Sequence, residues 1–324
     1  MTVCVIGVYF GELPDYFPLW LRSCEKNEAV DFFVFTDAVV QNPPHNVRII
    51  PMTLAEMKAV AQEKLGMELV MDTPFKCCDY KPVFGLIFED YVSQYDYWGH
   101  CDFDMIFGDI MHFLREYEVE KYDKFLPLGH LAFYRNTQEC NQRYQLTPKA
   151  GNDYRYAFAQ NRTTQFDELG GINAIYDEYG FPFFRKRIFA DISVQWDRVK
   201  LAENYIDSDD VNYPYQVFYW QDGKVFRGYL SNGKLCREEF IYIHIKKRKF
   251  ALPEFECNDV RSFYICPHAF AQRPVDEVIT KAVIQKYNCY HGGLYELLER
   301  VLLRKLKARC KKLLKTAERK HNGK

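Results

Sequence analysis

The chain has 324 residues, 48% of them hydrophobic and 17% aromatic, enough for one large domain with a sizeable core. Its net charge of −1 is unevenly divided: from His291 to the end there are 11 Lys/Arg and 3 Glu, a net of +8, so the rest carries −9. Basic charge confined to a tail argues against a nucleic-acid-binding face on the body, and 11 scattered cysteines with no C-x-x-C pair argue against a disulfide framework.

The amino-terminal stretch MTVCVIGVYFGELPDY has no basic n-region and reaches Glu12 too soon for a signal peptide. No apolar run approaches the length of a membrane-spanning helix. The expectation is a cytoplasmic protein whose cysteines serve as small core residues, with Asn161–Thr163 a sequon without meaning there.

Residues 3–10 (VCVIGVYF) read as a buried strand, broken by Gly11 and Pro14. Residues 16–24 have helical spacing, residues 31–35 (DFFVF) form a second buried strand ending at Thr36-Asp37, and residues 47–50 a third. A helix follows over 53–66, with Thr53 as its cap and Glu56 completing a capping box. Residues 82–91 read as helical and 97–101 as the next strand. Such alternation predicts an α/β fold: a single domain over 1–290 with a mostly parallel, Rossmann-like sheet flanked by helices. In such sheets the ligand crevice lies beyond the carboxyl ends of the strands. Asp37 and the pair Asp102 and Asp104 all fall there.

That pair is the most informative feature. The run YDYWGHCDFDMIFGDI (95–110) ends its apolar stretch in two acids one residue apart. In extended backbone, i and i+2 project to the same side, so the two carboxylates repel unless a cation sits between them. A hard divalent metal answers that need; a solvated turn after a core strand is the plainer alternative.

Farther on, residues 124–134 (KFLPLGHLAFY) suggest a strand pair or a bent strand, and Gly170-Gly171 a turn or close approach. Residues 215–229 form a hairpin turning at Asp222-Gly223, and 240–245 (FIYIHI) a short buried strand that runs into KKRK (246–249). In the tail, Tyr295, Leu298, Leu302, Leu306, Cys310, Leu313 and Ala317 recur every three or four residues as one helical stripe. Arg304, Lys305, Lys307, Arg309, Lys311, Lys312 and Lys315 fill the other faces. A basic amphipathic helix over 291–324 suits an anionic membrane surface, a partner, or packing on the body.

The segments GVYFGELPDYFPLWLRSC, DFFVFTD, KCCDYKPVFGLIF, YWGHCDFDMIFGD, LGHLAFYRN and IHIKKRKF, in this order over roughly residues 3–250, resemble GT-A-fold glycosyltransferases. The likeness is to the bacterial lipopolysaccharide and capsule sugar transferases, in particular a poorly characterised bacterial glycosyltransferase-like family, and more distantly to glycogenin. It implies transfer of a sugar from a nucleotide donor, UDP foremost, to a surface-glycan acceptor with Mn²⁺ or Mg²⁺. Asp102 and Asp104 then form the D-x-D motif, and His244 the third metal ligand. Val8, Tyr9 and Phe10, within 7–11, lie against the nucleotide, and Asp37 faces its base or ribose. Asp79 and Lys81 sit near the donor sugar and phosphates; a helix cap and a surface lysine are their ordinary alternatives. Lys246 and Lys247 approach the diphosphate, although the glycine and Lys-Pro-Trp ending usual there are absent. Asp167, Glu168 and Asp191 are the carboxylates left for sugar hydroxyls or catalysis, and the likeness tilts toward retention of anomeric configuration. Two other classes compete: a catalytically silent sugar-binding scaffold of a polysaccharide assembly, and a metal-dependent phosphoester hydrolase, which calls for a richer His/Asp cluster.

Overall fold

A computed structural model describes residues 1–168, 170–202, 211–246, 248, 250–298 and 301–302. Its strands are β1 (Val3–Tyr9), β2 (Val30–Thr36), β3 (Val47–Pro51), β4 (Tyr97–Cys101), β5 (Met105–Phe107), β6 (Lys124–Phe125), β7 (Leu131–Arg135), β8 (Phe183–Phe184), β9 (Ala190–Asp191), β10 (Gln216–Gln221), β11 (Lys224–Ser231), β12 (Lys234–Phe240), β13 (Tyr242–His244), β14 (Ser262–Ile265) and β15 (Phe270–Gln272). The main sheet has the order β3-β2-β1-β4-β7-β6-β8. Its first four strands are parallel; β7 runs antiparallel to both β4 and β6, and β8 parallel to β6. The fold is therefore α/β with a largely parallel central sheet, as expected.

Both faces of this sheet are covered, which explains why its strands read as unbroken apolar runs. Val3, Val5, Phe32, Val34 and Phe133 enter one core; Cys4, Ile6, Phe33, Phe35, Trp98 and Tyr134 enter the other. Helix α1 (Phe17–Glu25) covers the first face with Trp20, which is fully buried. Helix α2 (Leu54–Leu65) begins with the expected capping box, Thr53 and Glu56 each satisfying the other's backbone N–H, which contributes about 1 kcal/mol.

The stretch expected to be helical over 82–91 is helical but interrupted: a 3-10 stretch, Pro74–Val83, runs into two single α-helical turns, Phe84–Ile87 and Glu89–Val92. The interruption falls at Phe88, whose backbone leaves the helical region (φ −108°, ψ 26°). The run 240–245 is also divided. β12 ends at Phe240, and after Ile241 the chain enters β13 in a different sheet. The hairpin is as expected, β10 and β11 joined through Asp222 (φ 45°) and Gly223 (φ 90°), both in the left-handed region that a tight two-residue turn requires.

β10, β11, β12, β14 and β15 build an antiparallel sheet ordered β12-β11-β10-β14-β15. Between it and the main sheet lies a three-stranded sheet, β5-β13-β9. Phe218, Trp220, Val225 and Phe263 of the antiparallel sheet pack on Ile106, Ala190 and Ile243 of the small one. Among the described residues no helix is long and apolar enough to cross a membrane.

Candidate metal and donor site

The small sheet assembles the site. β4 ends at Cys101, and Asp102-Phe103-Asp104 leads into β5. Phe103 turns into the core, stacked on Trp20 with ring centroids 4.9 Å apart. The two carboxylates stay partly exposed, at 30% for Asp102 and 29% for Asp104. β13 pairs antiparallel with β5, setting His244 opposite Met105, and the Ile245 N–H donates to the Asp104 carbonyl at 2.9 Å. β9 lies parallel to β13 on its other side, setting Asp191 beside His244. Three segments remote in sequence thus meet within a few residues of ladder.

His244 lies between two acids. Its Nδ1 is 2.9 Å from Asp191 Oδ1 and its Nε2 is 3.2 Å from Asp104 Oδ1. Burial alone would lower its pKa, but the hydrogen bonds to Asp104 and Asp191 outweigh burial and raise it to about 9. Burial likewise disfavours ionisation of Asp191, yet the hydrogen bond and charge of His244, with Lys246, hold its carboxyl well below the usual range. Lys246 Nζ is 2.7 Å from the second Asp191 oxygen. Its backbone sits at φ 54°, a left-handed conformation that costs a non-glycine residue on the order of 1 kcal/mol.

Lys81 serves Asp102 as Lys246 serves Asp191. Its buried amine donates to Asp102 Oδ1 at 2.5 Å and to the Gly129 carbonyl at 2.8 Å, and lies 3.6 Å from Asp167 Oδ2. Burial opposes the ammonium form, but Asp102, with Asp167, holds the pKa above that of a free lysine. Burial pushes Asp167 up to about 7. Glu168 Oε1 accepts the Gly129 N–H at 3.1 Å. A Cβ on Gly129 would stand 2.2 Å from Asp167 Oδ2, so the close approach of this acid requires glycine.

Ligand atoms of Asp102, Asp104 and His244 lie within 4.8 Å of one another, as do those of His130, Asp191 and His244. The first set suits a divalent cation: two carboxylates and one imidazole match Mn²⁺, and less closely the oxygen-preferring Mg²⁺. The Asp191–His244 bond supplies the outer partner that metal-bound histidines ordinarily have. Asp104 meanwhile carries a negative charge that the imidazolium compensates in the metal-free chain.

The remaining candidates divide. Tyr9 packs against Phe103 with centroids 5.1 Å apart and has Asp104 among the charges that raise its phenol, after burial. It therefore borders the site. Val8 is half-buried against the second core, and Phe10 is buried within it. Asp37 Oδ1 accepts the Gly11 N–H at 2.8 Å, tying the ends of β1 and β2 together. Asp79 is not directed at this cluster. It is fully buried, and its carboxylate accepts the Lys76 amine at 2.6 Å and the backbone N–H groups of Thr164 and Phe166 at 2.9 and 3.1 Å. The physical reason is local: the 3-10 stretch turns Asp79 away from Lys81, toward the segment 157–166. In the KKRK run, Arg248 donates to the carbonyls of Ser193, Trp196, Arg198 and Pro267, and Lys247 lies outside the described residues.

Sequence reasoning passed over His130. Its backbone carbonyl accepts the Asp102 N–H at 2.9 Å and its ring stacks on His244. Its only sequence signal was a Gly-His step at the start of a buried strand.

The fold and site define an α/β protein with a carboxylate–histidine centre, flanked by two lysines, beyond the carboxyl ends of its parallel strands. By sequence the chain belongs to a family of unknown function, DUF6625, whose model matches residues 5–274. No curated protein matches it. Solved structures with partial likeness include an active-site mutant of LgtC, 7% identical with a TM-score of 0.39, over 76% of this chain and 88% of that one. Others are the glycosyltransferase GlyE of Streptococcus pneumoniae, 9% identical with a TM-score of 0.31 over 57% and 45%, and mouse xyloside xylosyltransferase 1, 7% identical with a TM-score of 0.34 over 60% and 89%.

Proposed function

We propose that this protein is a metal-dependent glycosyltransferase that moves a sugar from a nucleotide donor, UDP-linked in our reading, to a bacterial surface-glycan acceptor such as lipopolysaccharide, capsule or a lipid-linked oligosaccharide. The observation that carries the reading is the convergence of Asp102, Asp104 and His244 with an ammonium on either side. Departure of a nucleoside diphosphate gathers negative charge on phosphate oxygens. Mn²⁺ or Mg²⁺ held by Asp102, Asp104 and His244 would supply Lewis-acid stabilisation of that charge. Lys81 aims Asp102 through its hydrogen bond, and Asp191 holds the His244 ring. Lys246, about a quarter exposed, is the cation free to turn from Asp191 toward a phosphate.

Asp191 is engaged by His244 and Lys246 and is nearly inaccessible, which makes it a poor base for an acceptor hydroxyl. Asp167 is buried against Lys81. Glu168, half-buried on Gly129, is the carboxylate we assign to sugar hydroxyls. With Asp191 and Asp167 engaged and Glu168 assigned to sugar hydroxyls, retention of configuration, with the leaving phosphate taking the acceptor proton, is the stereochemistry we favour. The two ion clusters share His244. A two-metal hydrolase needs a bridging ligand with a lone pair for each ion, which a carboxylate has and a neutral imidazole lacks.

For location, we propose contact with an anionic membrane surface. Residues 293–298 and 301–302 are helical, and Glu296 anchors the start of this arm to Arg198 and Lys200. Leu294, Leu297, Leu298 and Leu302 stay 54–74% exposed, and ten further Lys/Arg follow in sequence after Leu302, outside the described residues. Deleting 294–324 is expected to abolish binding to vesicles of anionic lipid; equal binding by the truncated chain overturns this.

The deciding experiment on the enzyme is thermal stability with UDP, with and without Mn²⁺, in the wild type and Asp104→Ala. Ligand at about a hundred times its Kd adds about 2.7 kcal/mol. A Mn²⁺-dependent UDP shift lost in Asp104→Ala supports the reading. Absence of any nucleotide shift overturns it in favour of a sugar-binding scaffold.

A further inference from the structure

Resting on that reading, we infer that His130 is a positioning residue for the metal ligand His244, acting through ring stacking and not by binding the metal. The two imidazoles lie face to face, centroids 3.9 Å apart and planes inclined by 21°. His244 is held at both edges by Asp104 and Asp191, but those in-plane hydrogen bonds put nothing against the face of the ring, where only the χ angles of the side chain resist tilting. A flat ring against its face opposes that tilt.

His130 is itself fixed. Its Nδ1 is 3.0 Å from the Tyr242 hydroxyl, its ring meets Phe189 edge-on at 5.9 Å, and Phe189 stacks on Tyr242 at 5.1 Å. The four rings form one block: Tyr242 and His244 alternate along β13, and Phe189 directly precedes β9. Pairing between these strands thus places support and supported ring together. The parallel stack also argues against a shared ion, because lone pairs in two nearly parallel ring planes do not converge on one point. Locked ligand geometry matters because outer contacts of this kind change metal affinity by roughly 10- to 100-fold.

The test is Mn²⁺ affinity, read by the loss of free-ion electron paramagnetic resonance signal, in wild type, His130→Ala, His130→Phe, Tyr242→Phe and Asp104→Ala. Thermal melting in EDTA accompanies each variant to show that it is folded. His130→Ala is expected to weaken Mn²⁺ about 10-fold, while His130→Phe, which keeps a flat ring but no ligand nitrogen, stays within about 3-fold of wild type. Tyr242→Phe, should His130→Ala fail to fold, is expected to fall between them. Wild-type affinity in folded His130→Ala with binding lost in Asp104→Ala overturns the role of His130 and leaves the metal reading standing. Loss in His130→Phe as complete as in Asp104→Ala makes His130 a ligand and overturns positioning. No Mn²⁺ binding by the wild type overturns both.

Discussion

His244 and Asp191, 53 residues apart in sequence, are neighbours on parallel strands with Nδ1 and Oδ1 2.9 Å apart. The second Asp191 oxygen is taken by Lys246 at 2.7 Å. One carboxylate therefore orients a ring that faces the site and holds a lysine at its edge. Asp191→Asn preserves size but leaves one acceptor oxygen and turns an NH₂ donor toward the other partner, so only one of the two bonds survives. Mn²⁺ affinity is expected to drop about 10- to 100-fold, measured by titration at fixed pH; unchanged affinity would show that the orienting bond is dispensable.

Gly129 tests the packing of the donor side. With its would-be Cβ 2.2 Å from Asp167 Oδ2, Gly129→Ala is expected to destabilise by about 1–3 kcal/mol, read from urea denaturation. Asp167→Gly on that background removes the clash. If the double variant is no more stable than Gly129→Ala, the contact is not what excludes a side chain there.

Asp79 separates scaffolding from donor binding. Its pair with Lys76 is wholly buried, and removing one member of such a pair costs about 3–5 kcal/mol. Asp79→Ala is expected to lower stability by that amount while UDP affinity of the folded fraction, measured at low temperature, stays near wild type. A selective loss of UDP binding with unchanged stability would return Asp79 to the donor site.

Lys124 predicts a pH dependence. Burial lowers its pKa to about 7, against about 10.4 in an unfolded chain. Between these values the unfolded state binds the extra proton, so stability rises with pH across roughly 7 to 10. The full rise is on the order of 4 kcal/mol. Lys124→Met abolishes this slope, and the difference between wild-type and variant urea midpoints across that range isolates it. Equal slopes would mean that the lysine is not desolvated. Asp167, raised to about 7 by burial, acts oppositely at lower pH: stability falls as pH rises from about 4 to 7.

Much of the architecture was legible in the chain. The apolar runs of β1, β2 and β4, the Thr53–Glu56 box and the Asp222-Gly223 turn each carry a local signal, because strand burial, capping and turn geometry depend on residues a few positions apart. The pair Asp102 and Asp104 stood out in the sequence by spacing alone; in the structure the two occupy the bend between β4 and β5, so a turn and not strand alternation sets their placement. Less was legible where a residue's role depends on a distant partner. Asp79 and Lys81 stand two positions apart in one motif, yet one clasps the segment 157–166 and the other reaches Asp102. His130 has no local pattern; its position derives from stacking on a strand more than a hundred residues later.

The sequence by itself determined an α/β chain with paired acids at a strand's carboxyl end, since periodicity and spacing are local quantities. Tertiary structure alone decided that Asp191 orients His244, that Lys81 and Lys246 each neutralise one acid, and that His130 backs the ring. Those relationships arise from the pairing of β5, β13 and β9, and pairing between strands is written in no short stretch of chain.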